Sequence, residues 1–166
     1  MVFRLTNFLK AKSMKHEYCD ASETLRKAGL AKTAQRMAVL ESIIRADRPL
    51  SANEILENVS REIRINRVTV YRILSSFRTN KIVREIGIDH GVSHYEMACV
   101  HNPVHPHFCC RCCGKIICLP PLTLSQAWDW LSQPSDFLVE RIDVQLIGLC
   151  ANCRDKEDGN RVASDQ

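Results

Sequence analysis

The spacing of apolar residues in the first half of the chain predicts a series of helices. Ser22 is the expected N-cap of a short helix, and Thr33 precedes a longer segment whose apolar residues recur at helical spacing. Ser51 is followed three residues later by Glu54, which is a capping-box signature for a third helix. The chain is therefore expected to be mainly helical up to about residue 80.

The fourth predicted helix begins after the candidate N-cap Asn66, ends near Asn80, and has two different faces. Its apolar face consists of Val70, Ile73, Leu74 and Phe77. Its opposite face consists of Tyr71, Arg72 and Ser75, with Val68 beside them. An exposed valine near the start of a helix would suit contact with a thymine methyl group, so this outer face is a candidate DNA-binding surface.

After Lys81 the periodicity changes and predicts two strands, over 82–88 and 93–98, joined by a turn at Asp89-His90-Gly91. Helices followed by a β hairpin are the order of a winged helix-turn-helix domain. A small α+β domain without DNA contact has the same order. The tyrosine and arginine on the outer face of the preceding helix favour the DNA-binding interpretation.

The second half predicts a smaller α/β domain. Residues 99–106 contain two prolines and resemble a hinge. Beyond them we expect a strand-like segment over 108–119, a helix over 123–131 and a strand-rich segment over 137–149. The fold class is therefore α+β, with a winged-helix domain over 18–98, the hinge, and a C-terminal domain over 107–153. Residues 1–17 and 154–166 are expected to be disordered, and Met14 is an alternative start to Met1.

Composition narrows the class of protein. The chain has 166 residues, 45% hydrophobic and 25% charged, which is ordinary for a soluble globular protein. Its net charge of +4 is mild, so nucleic acid would have to be met by a localised basic surface. The first 15 residues lack the apolar stretch of a signal peptide, and no segment is long and apolar enough for a membrane span. We therefore predict a cytoplasmic protein that does not bind membranes.

The cysteines indicate metal binding rather than disulfides. Nine cysteines are an odd number, and all but Cys19 lie between Cys99 and Cys153. Two Cys-x-x-Cys pairs supply the four thiolates of a closed structural zinc site. These candidate ligands are Cys110, Cys113, Cys150 and Cys153. Cys109 and Cys112 have the same spacing, and Gly114 favours the pair that ends just before it, because glycine tolerates the left-handed backbone of a tight turn.

A second group of metal-binding residue types lies just upstream. His105 and His107 are alternate residues on an extended segment and so share a face, and Cys99 could reach them across the hinge. The candidates for a fourth ligand are Glu85, His90, Glu96 and Cys118. This group predicts a second, less specific metal site.

Two other functions are alternatives to a DNA-binding regulator. A zinc hydrolase or deaminase would need a general base beside an open metal position, and no His-x-Glu or His-Glu-x-x-His motif occurs. A thiol-disulfide redox protein would use Cys110 and Cys113, but this leaves the helical half unexplained. We predict neither catalytic residues nor a small-molecule substrate.

Together these motifs resemble the ferric uptake regulator (Fur) superfamily over about Ser22 to Arg154. The motifs that carry the resemblance are Gly29-Leu30 with Thr33, Gln35 and Arg36; Leu50-Ser51-Ala52 with Glu54-Ile55; Thr69-Val70-Tyr71-Arg72; and His105-x-His107-Phe108-Cys109-Cys110 with Cys113-Gly114-Lys115. The resemblance implies a homodimer in which the C-terminal domain mediates dimerisation. It also implies a metal-dependent repressor that binds palindromic, A/T-rich operator DNA.

Within this superfamily the chain is most similar to the zinc uptake regulator branch. That resemblance implies a regulatory site formed by Glu85, Cys99, His105 and His107. Iron-sensing members commonly have a histidine where Pro49 stands and often a glutamate where Cys118 stands. A softer ligand set favours zinc over ferrous iron. We therefore predict a second, regulatory zinc, with an iron- or peroxide-responsive regulator as the alternative.

The resemblance also suggests the DNA contacts and how metal would control them. Tyr71 and Arg72 are the expected groove contacts, beside Val68 and Thr69. The candidate phosphate contacts are Lys32, Arg36, Arg67 and Arg78. Metal at the second site would fix the two winged helices of a dimer at a spacing that matches successive major grooves.

Overall fold

The computed structural model describes residues 19–87, 92–121 and 144–156. These residues form two compact units, with the boundary between Pro103 and Val104, inside the segment predicted to be the hinge. The turn predicted at 89–91 and the helix predicted over 123–131 lie outside the described residues, as does the start of the last strand-rich segment. The extension predicted to be disordered over 1–17 lies outside them as well, as do residues 157–166 of the tail. Residues 154–156 are helical, so the prediction of a disordered tail is wrong for its first three residues.

The N-terminal unit consists of helices followed by a β hairpin. Its elements are α1 (Ala21–Lys27), α2 (Ala34–Ile44), β1 (Leu50–Ser51), α3 (Ala52–Ser60), α4 (Arg67–Thr79), β2 (Val83–Gly87) and β3 (Ser93–Met97). The strands β2 and β3 pair antiparallel, with Val83 opposite Met97 and Gly87 opposite Ser93, so both predicted strands are confirmed. Helices that lead into such a hairpin are the winged helix-turn-helix arrangement that the sequence predicts.

Polar side chains cap the helices at their N-termini. The predicted caps of the second, third and fourth helices are confirmed and are Thr33, Ser51 and Asn66. The prediction of Ser22 for the first helix is wrong, because Ser22 lies inside α1 and Asp20 is the cap. The Asp20 carboxylate accepts the backbone N–H of Glu23 at 2.6 Å, which starts the helix before Ser22 is reached.

The core of this unit lies between the helices and the hairpin. The predicted apolar face of α4 is confirmed, since each of its four residues is at most 7% exposed. These residues pack with fully buried side chains from the three preceding helices, namely Leu25, Leu40 and Ile55. Burying a leucine, isoleucine or phenylalanine side chain contributes roughly 1.5–3 kcal/mol, so this packing fixes the orientation of α4.

A short third strand in the N-terminal unit was not predicted. Leu50 pairs with Tyr95 and Ser51 with His94, so β1 extends the hairpin into a sheet of order β1-β3-β2. Ser51 ends this strand and also caps α3, which ties the start of α3 to the sheet.

The C-terminal unit is built on a small mixed sheet. Its strands are β4 (His107–Cys110), β5 (Ile116–Cys118) and β6 (Gln145–Gly148), in the order β5-β4-β6. The segment predicted as one strand over 108–119 is an antiparallel hairpin of β4 and β5, because the first cysteine pair forms the turn between them. The strand β6 pairs parallel to β4, and residues 151–156 are helical. None of the helices in the described segments has the length and apolar character that crossing a membrane requires.

Candidate metal centres and nucleic-acid interface

The sheet of the C-terminal unit brings the two Cys-x-x-Cys pairs together. Cys110 is the last residue of β4 and pairs with Gly148, which ends the neighbouring strand β6 two residues before Cys150. One ligand atom from each of four residues lies within 4.8 Å of the others, and these residues are Cys110, Cys113, Cys150 and Cys153. We call this group the cysteine tetrad. The sequence predicted this ligand set, and the geometry places all four thiols in reach of one ion.

The backbone around the tetrad stabilises negatively charged sulfur. The N–H of Cys150 donates to Cys110 Sγ at 3.3 Å. Hydrogen bonds from the backbone N–H groups of Cys113 and Cys150 lower the pKa of Cys110 to about 6. A hydrogen bond with the neighbouring Cys113 side chain raises the pKa of Cys153, because it stabilises the protonated thiol. A zinc ion would replace the protons on these sulfurs, and thiolates are the ligands that zinc takes in closed structural sites, so this donor set fits zinc.

The structure also distinguishes the two overlapping pairs in the first half of the tetrad. Gly114 has a φ of +69°, a left-handed conformation that lets the chain turn directly after Cys113. Cys109 is buried, and its Sγ accepts a hydrogen bond from Gln145 Nε2 at 3.2 Å. Cys112 is exposed. Among the described residues of this unit, neither Cys109 nor Cys112 belongs to a group of metal-ligand atoms.

A second group of donors in the same unit consists of His105, His107 and Cys118. The two imidazole centroids are 4.5 Å apart, and both histidines are buried. The antiparallel register places His107 opposite Cys118, and one ligand atom from each of the three residues lies within 4.8 Å of the others. We call this group the His/His/Cys cluster. Cys118 was one of the candidate fourth ligands, and the β4–β5 pairing is what brings it to the histidines.

The other predicted regulatory ligands belong to the N-terminal unit. Glu85 lies in β2, where it forms an ion pair with Arg78 and accepts a hydrogen bond from Ser93 Oγ at 2.5 Å. Cys99 follows β3, and its Sγ lies 3.4 Å from that of Cys19. Burial and the neighbouring Cys99 raise the pKa of Cys19 to about 11. The role of Glu85 and Cys99 as metal ligands therefore stays a prediction.

The remaining candidates for the fourth ligand are Glu96 and His90. Glu96, in β3, is buried and accepts a hydrogen bond from Arg84 Nη2 at 2.9 Å, and its role as a ligand stays a prediction. His90 lies outside the described residues.

The outer face of α4 presents the predicted DNA contacts to solvent. Val68 is 60% exposed and Tyr71 is 47% exposed, and Arg67 and Arg72 are exposed as well. Thr69 differs, because its N–H and hydroxyl both bind the Asn66 side chain, so it contributes to the helix cap.

A shallow cleft joins this face to the start of α2. It is lined by Thr33, Gln35, Arg36, Thr69, Arg72 and Ile73. Lys32 is exposed just before the α2 cap, and Arg36 Nη1 donates to the carbonyl of Ala31 at 3.2 Å. Lys32, Arg36 and Arg72 therefore add positive charge beside the exposed valine and tyrosine, which is the composition of a surface that binds DNA phosphate and base edges.

A winged helix-turn-helix unit together with a unit that carries two groups of metal-ligand residues defines a metal-responsive transcription regulator. Residues 27–145, well over half of the chain, match the ferric uptake regulator family. The chain therefore belongs to the ferric uptake regulator family, whose members are transcription regulators rather than enzymes.

Individual relatives agree with this assignment. The chain is 30% identical to the peroxide-responsive repressor PerR of Staphylococcus aureus over 149 residues, which cover 89% of this chain and 99% of PerR. Its structure is similar to the ferric uptake regulator of Vibrio cholerae, with a TM-score of 0.67 and 26% identity over 79% of this chain and 100% of that one. The fold is also that of the Helicobacter pylori ferric uptake regulator, with a TM-score of 0.66 and 21% identity over 87% of this chain and 94% of that one.

Proposed function

We propose that this chain is a zinc-responsive repressor of zinc uptake genes that binds palindromic operator DNA as a homodimer. The observation that carries the proposal is the donor set of the His/His/Cys cluster, two imidazoles and a thiol. Thiolate and imidazole ligands suit zinc, whereas carboxylates suit harder cations. The sequence identity to PerR favours a peroxide-responsive repressor as the second candidate. The thiol of Cys118 argues for the zinc-responsive role.

The two metal positions would have different functions. The cysteine tetrad supplies four thiolates and therefore a closed, structural zinc site whose binding energy contributes to folding. The His/His/Cys cluster supplies three ligands, so a tetrahedral ion there has one further position to fill. We propose that this second zinc is the regulatory one, and that the candidates for the remaining position are the predicted ligands Glu85 and Cys99, together with Glu96. Linkage between metal and operator of this kind typically amounts to roughly 1–3 kcal/mol.

The DNA contacts proposed for α4 follow from its exposed face. Tyr71 and Val68 offer apolar surface for thymine methyl groups, and Arg72 offers a fork of donors for a guanine edge or a phosphate. Lys32, Arg36 and Arg67 would bind phosphates and so give affinity that depends on salt rather than on sequence.

The metal proposal is tested by measuring operator binding while free zinc and free ferrous iron are buffered separately. The DNA is a duplex selected for binding from a random pool, and the metal content of the protein is counted at each step. We expect one zinc per subunit to survive chelation, and a second zinc to restore DNA binding at a far lower free concentration than iron. If iron restores binding at its cellular concentration and zinc does not, the zinc assignment is wrong, although the DNA-binding role survives.

The ligand assignment is tested with variants in the same assay. His107→Ala and Cys118→Ser should each raise the free zinc needed for DNA binding at least tenfold while leaving the chelator-resistant zinc in place. Cys109→Ser is the matched control, since Cys109 lies on the same hairpin outside both groups of ligands. Glu85→Gln, Glu96→Gln and Cys99→Ser then identify the remaining ligand. Unchanged zinc dependence in Cys118→Ser would remove Cys118 from the site.

The DNA-binding surface is tested independently of metal affinity. Arg72→Ala should weaken operator binding by about 1–3 kcal/mol in saturating zinc, which is the usual contribution of a bidentate arginine contact. Ser75→Ala, a change at another exposed position of the same helix, is the control and should leave binding unchanged. Wild-type affinity in a folded Arg72→Ala variant would show that α4 does not read the operator through this face.

A further inference from the structure

The N-terminal unit contains two thiols that lie in contact with each other. Cys19 Sγ and Cys99 Sγ lie 3.4 Å apart, although the residues are 80 positions apart in the chain. Both side chains are partly buried and pack against the hydrophobic core of this unit. We propose that Cys19 and Cys99 form a reversible disulfide when the protein meets a hydroperoxide.

The backbone on both sides holds the two sulfurs in place. Cys19 directly precedes Asp20, which caps α1 and so fixes the start of that helix. On the other side, the N–H of Ala98 donates to the Ile82 carbonyl at 2.9 Å, and the Cys99 carbonyl accepts the N–H of Asn102 at 2.9 Å. Because a disulfide bond is about 2.05 Å long, the sulfurs need to approach by roughly 1.4 Å for the bond to form.

The chemistry balances with hydrogen peroxide as the only co-reactant. The thiolate of one cysteine attacks a peroxide oxygen, the O–O bond breaks, and a sulfenic acid forms as water is released. The thiol of the other cysteine then attacks the sulfenic sulfur, the S–S bond forms, and a second water leaves. The two sulfurs together give up two electrons, and the peroxide is reduced to water. A partner thiol already in contact favours this condensation over further oxidation.

The disulfide itself does not depend on the proposed zinc-responsive function. One consequence does rest on that function: Cys99 is also a predicted regulatory ligand, and a sulfur in a disulfide no longer binds zinc as a thiolate. Peroxide would then weaken metal-dependent DNA binding. Detecting the disulfide by mass separates the two ideas, because that measurement uses neither DNA nor regulatory metal.

The test treats the full-length protein, carrying only the zinc that survives chelation, with increasing hydrogen peroxide, blocks remaining thiols under denaturing conditions, and maps the peptides by mass spectrometry. We expect a cross-linked peptide that joins Cys19 to Cys99 and disappears on treatment with dithiothreitol. It should be absent from Cys19→Ser. It should persist in Cys112→Ser, the matched control, which removes an exposed thiol from the other unit. Zinc release is followed in the same samples to report oxidation of the cysteine tetrad.

Two results of the peptide mapping would overturn the proposal, and both are read on the wild-type protein, so neither depends on a variant folding. One is that Cys19 and Cys99 are still alkylated as thiols at the peroxide concentration that releases the tetrad zinc. The other is that Cys99 is found joined to a cysteine other than Cys19. A third measurement compares unfolding in urea: because the disulfide would close a long loop in the unfolded chain, the oxidised protein should have the higher midpoint. A lower midpoint would mean that the native unit does not accept the bond.

Discussion

The N-terminus of α3 offers a sharp test of how charge and capping stabilise this fold, through the substitution Glu54→Gln. Glu54 Oε2 accepts the backbone N–H and the hydroxyl of Ser51, both at 2.8 Å. Its other oxygen accepts a hydrogen bond from Arg48 Nη2 at 2.6 Å. The glutamine amide keeps a carbonyl oxygen for Ser51 but loses the charge that faces Arg48. The substitution therefore removes the ion pair with little change in shape.

The size of the effect follows from the pKa of the carboxyl group. Partial burial raises the pKa of Glu54, but the hydrogen bonds from Arg48 and Ser51 outweigh it and lower the pKa from 4.5 to about 2. A lowering of this size corresponds to about 3 kcal/mol at 1.36 kcal/mol for each pH unit. Because the Glu54 side chain is 34% exposed, water screens the charges, and we expect about 1 kcal/mol to remain.

The sign of the pH dependence is fixed by the direction of this shift. A carboxyl group whose pKa is lower in the folded protein stabilises it fully above the unfolded-state pKa of 4.5, and this contribution is lost as the pH falls toward 2. Glutamine does not titrate, so Glu54→Gln lacks this stabilising contribution at every pH. The difference between the free energies of unfolding of wild type and variant should therefore be about 1 kcal/mol at pH 7. At pH 4 this difference should be smaller by about 0.5 kcal/mol.

The assay is urea unfolding of the zinc-loaded protein at both pH values, with zinc counted in every sample. Any acid-induced loss of zinc affects wild type and variant alike and cancels in their difference. Glu57→Gln is the control, because Glu57 is exposed on the same helix, and surface changes of this kind usually cost less than about 0.5 kcal/mol. A difference for Glu54→Gln that is the same at pH 7 and pH 4 would refute a role for its charge.

Three further substitutions test packing, a buried polar contact and a turn. Leu74→Ala empties a fully buried position in the core and should cost about 3 kcal/mol or more in urea unfolding; under 1 kcal/mol would mean that the site is not close-packed. Asn102→Ala removes a buried side chain whose Nδ2 donates to the Met97 carbonyl at 2.8 Å; we expect a loss of about 1–3 kcal/mol, and a neutral result would contradict this contact. Gly114→Ala adds a methyl group that meets nothing within 4 Å, so only the backbone at φ +69° is strained, by about 1–2 kcal/mol. This variant should lose its structural zinc to a chelator more readily than wild type; equal retention would show that the turn tolerates alanine.

The confirmed predictions of the N-terminal fold rest on short sequence patterns. The capping box of α3 depends on two residues three positions apart, and the buried face of α4 on the helical repeat, so both can be read from short stretches of sequence. The error at α1 was also local: Asp20 and Ser22 are both good N-cap residues, and the sequence alone did not decide between them. The strand β1 has only two residues and depends on pairing with β3 far along the chain, so no periodic pattern could reveal it.

The candidate sites also differ in whether they depend on short motifs or on contacts between distant parts of the chain. The cysteine tetrad was predictable because each half is a short motif, and Gly114 marked the register of the first half. The place of Cys118 opposite His107 depends on the register of a β hairpin, which the sequence did not specify, and Cys118 was therefore only one of several candidates. The contact between Cys19 and Cys99 joins the first helix to the end of the hairpin, and nothing in their spacing pointed to it.

The strand β4 connects the two groups of metal ligands in the C-terminal unit. His107 is its first residue and Cys110 its last, so three steps along one strand separate the His/His/Cys cluster from the cysteine tetrad. Zinc in the tetrad would join the end of β4 to the segment after β6 through Cys150, and this holds β4 in its place at the centre of the sheet. The pairing of β4 with β5 in turn sets His107 opposite Cys118. A permanently filled tetrad would therefore keep the His/His/Cys cluster arranged while the cluster binds and releases its metal. The proposed regulatory role of the cluster requires such an arrangement.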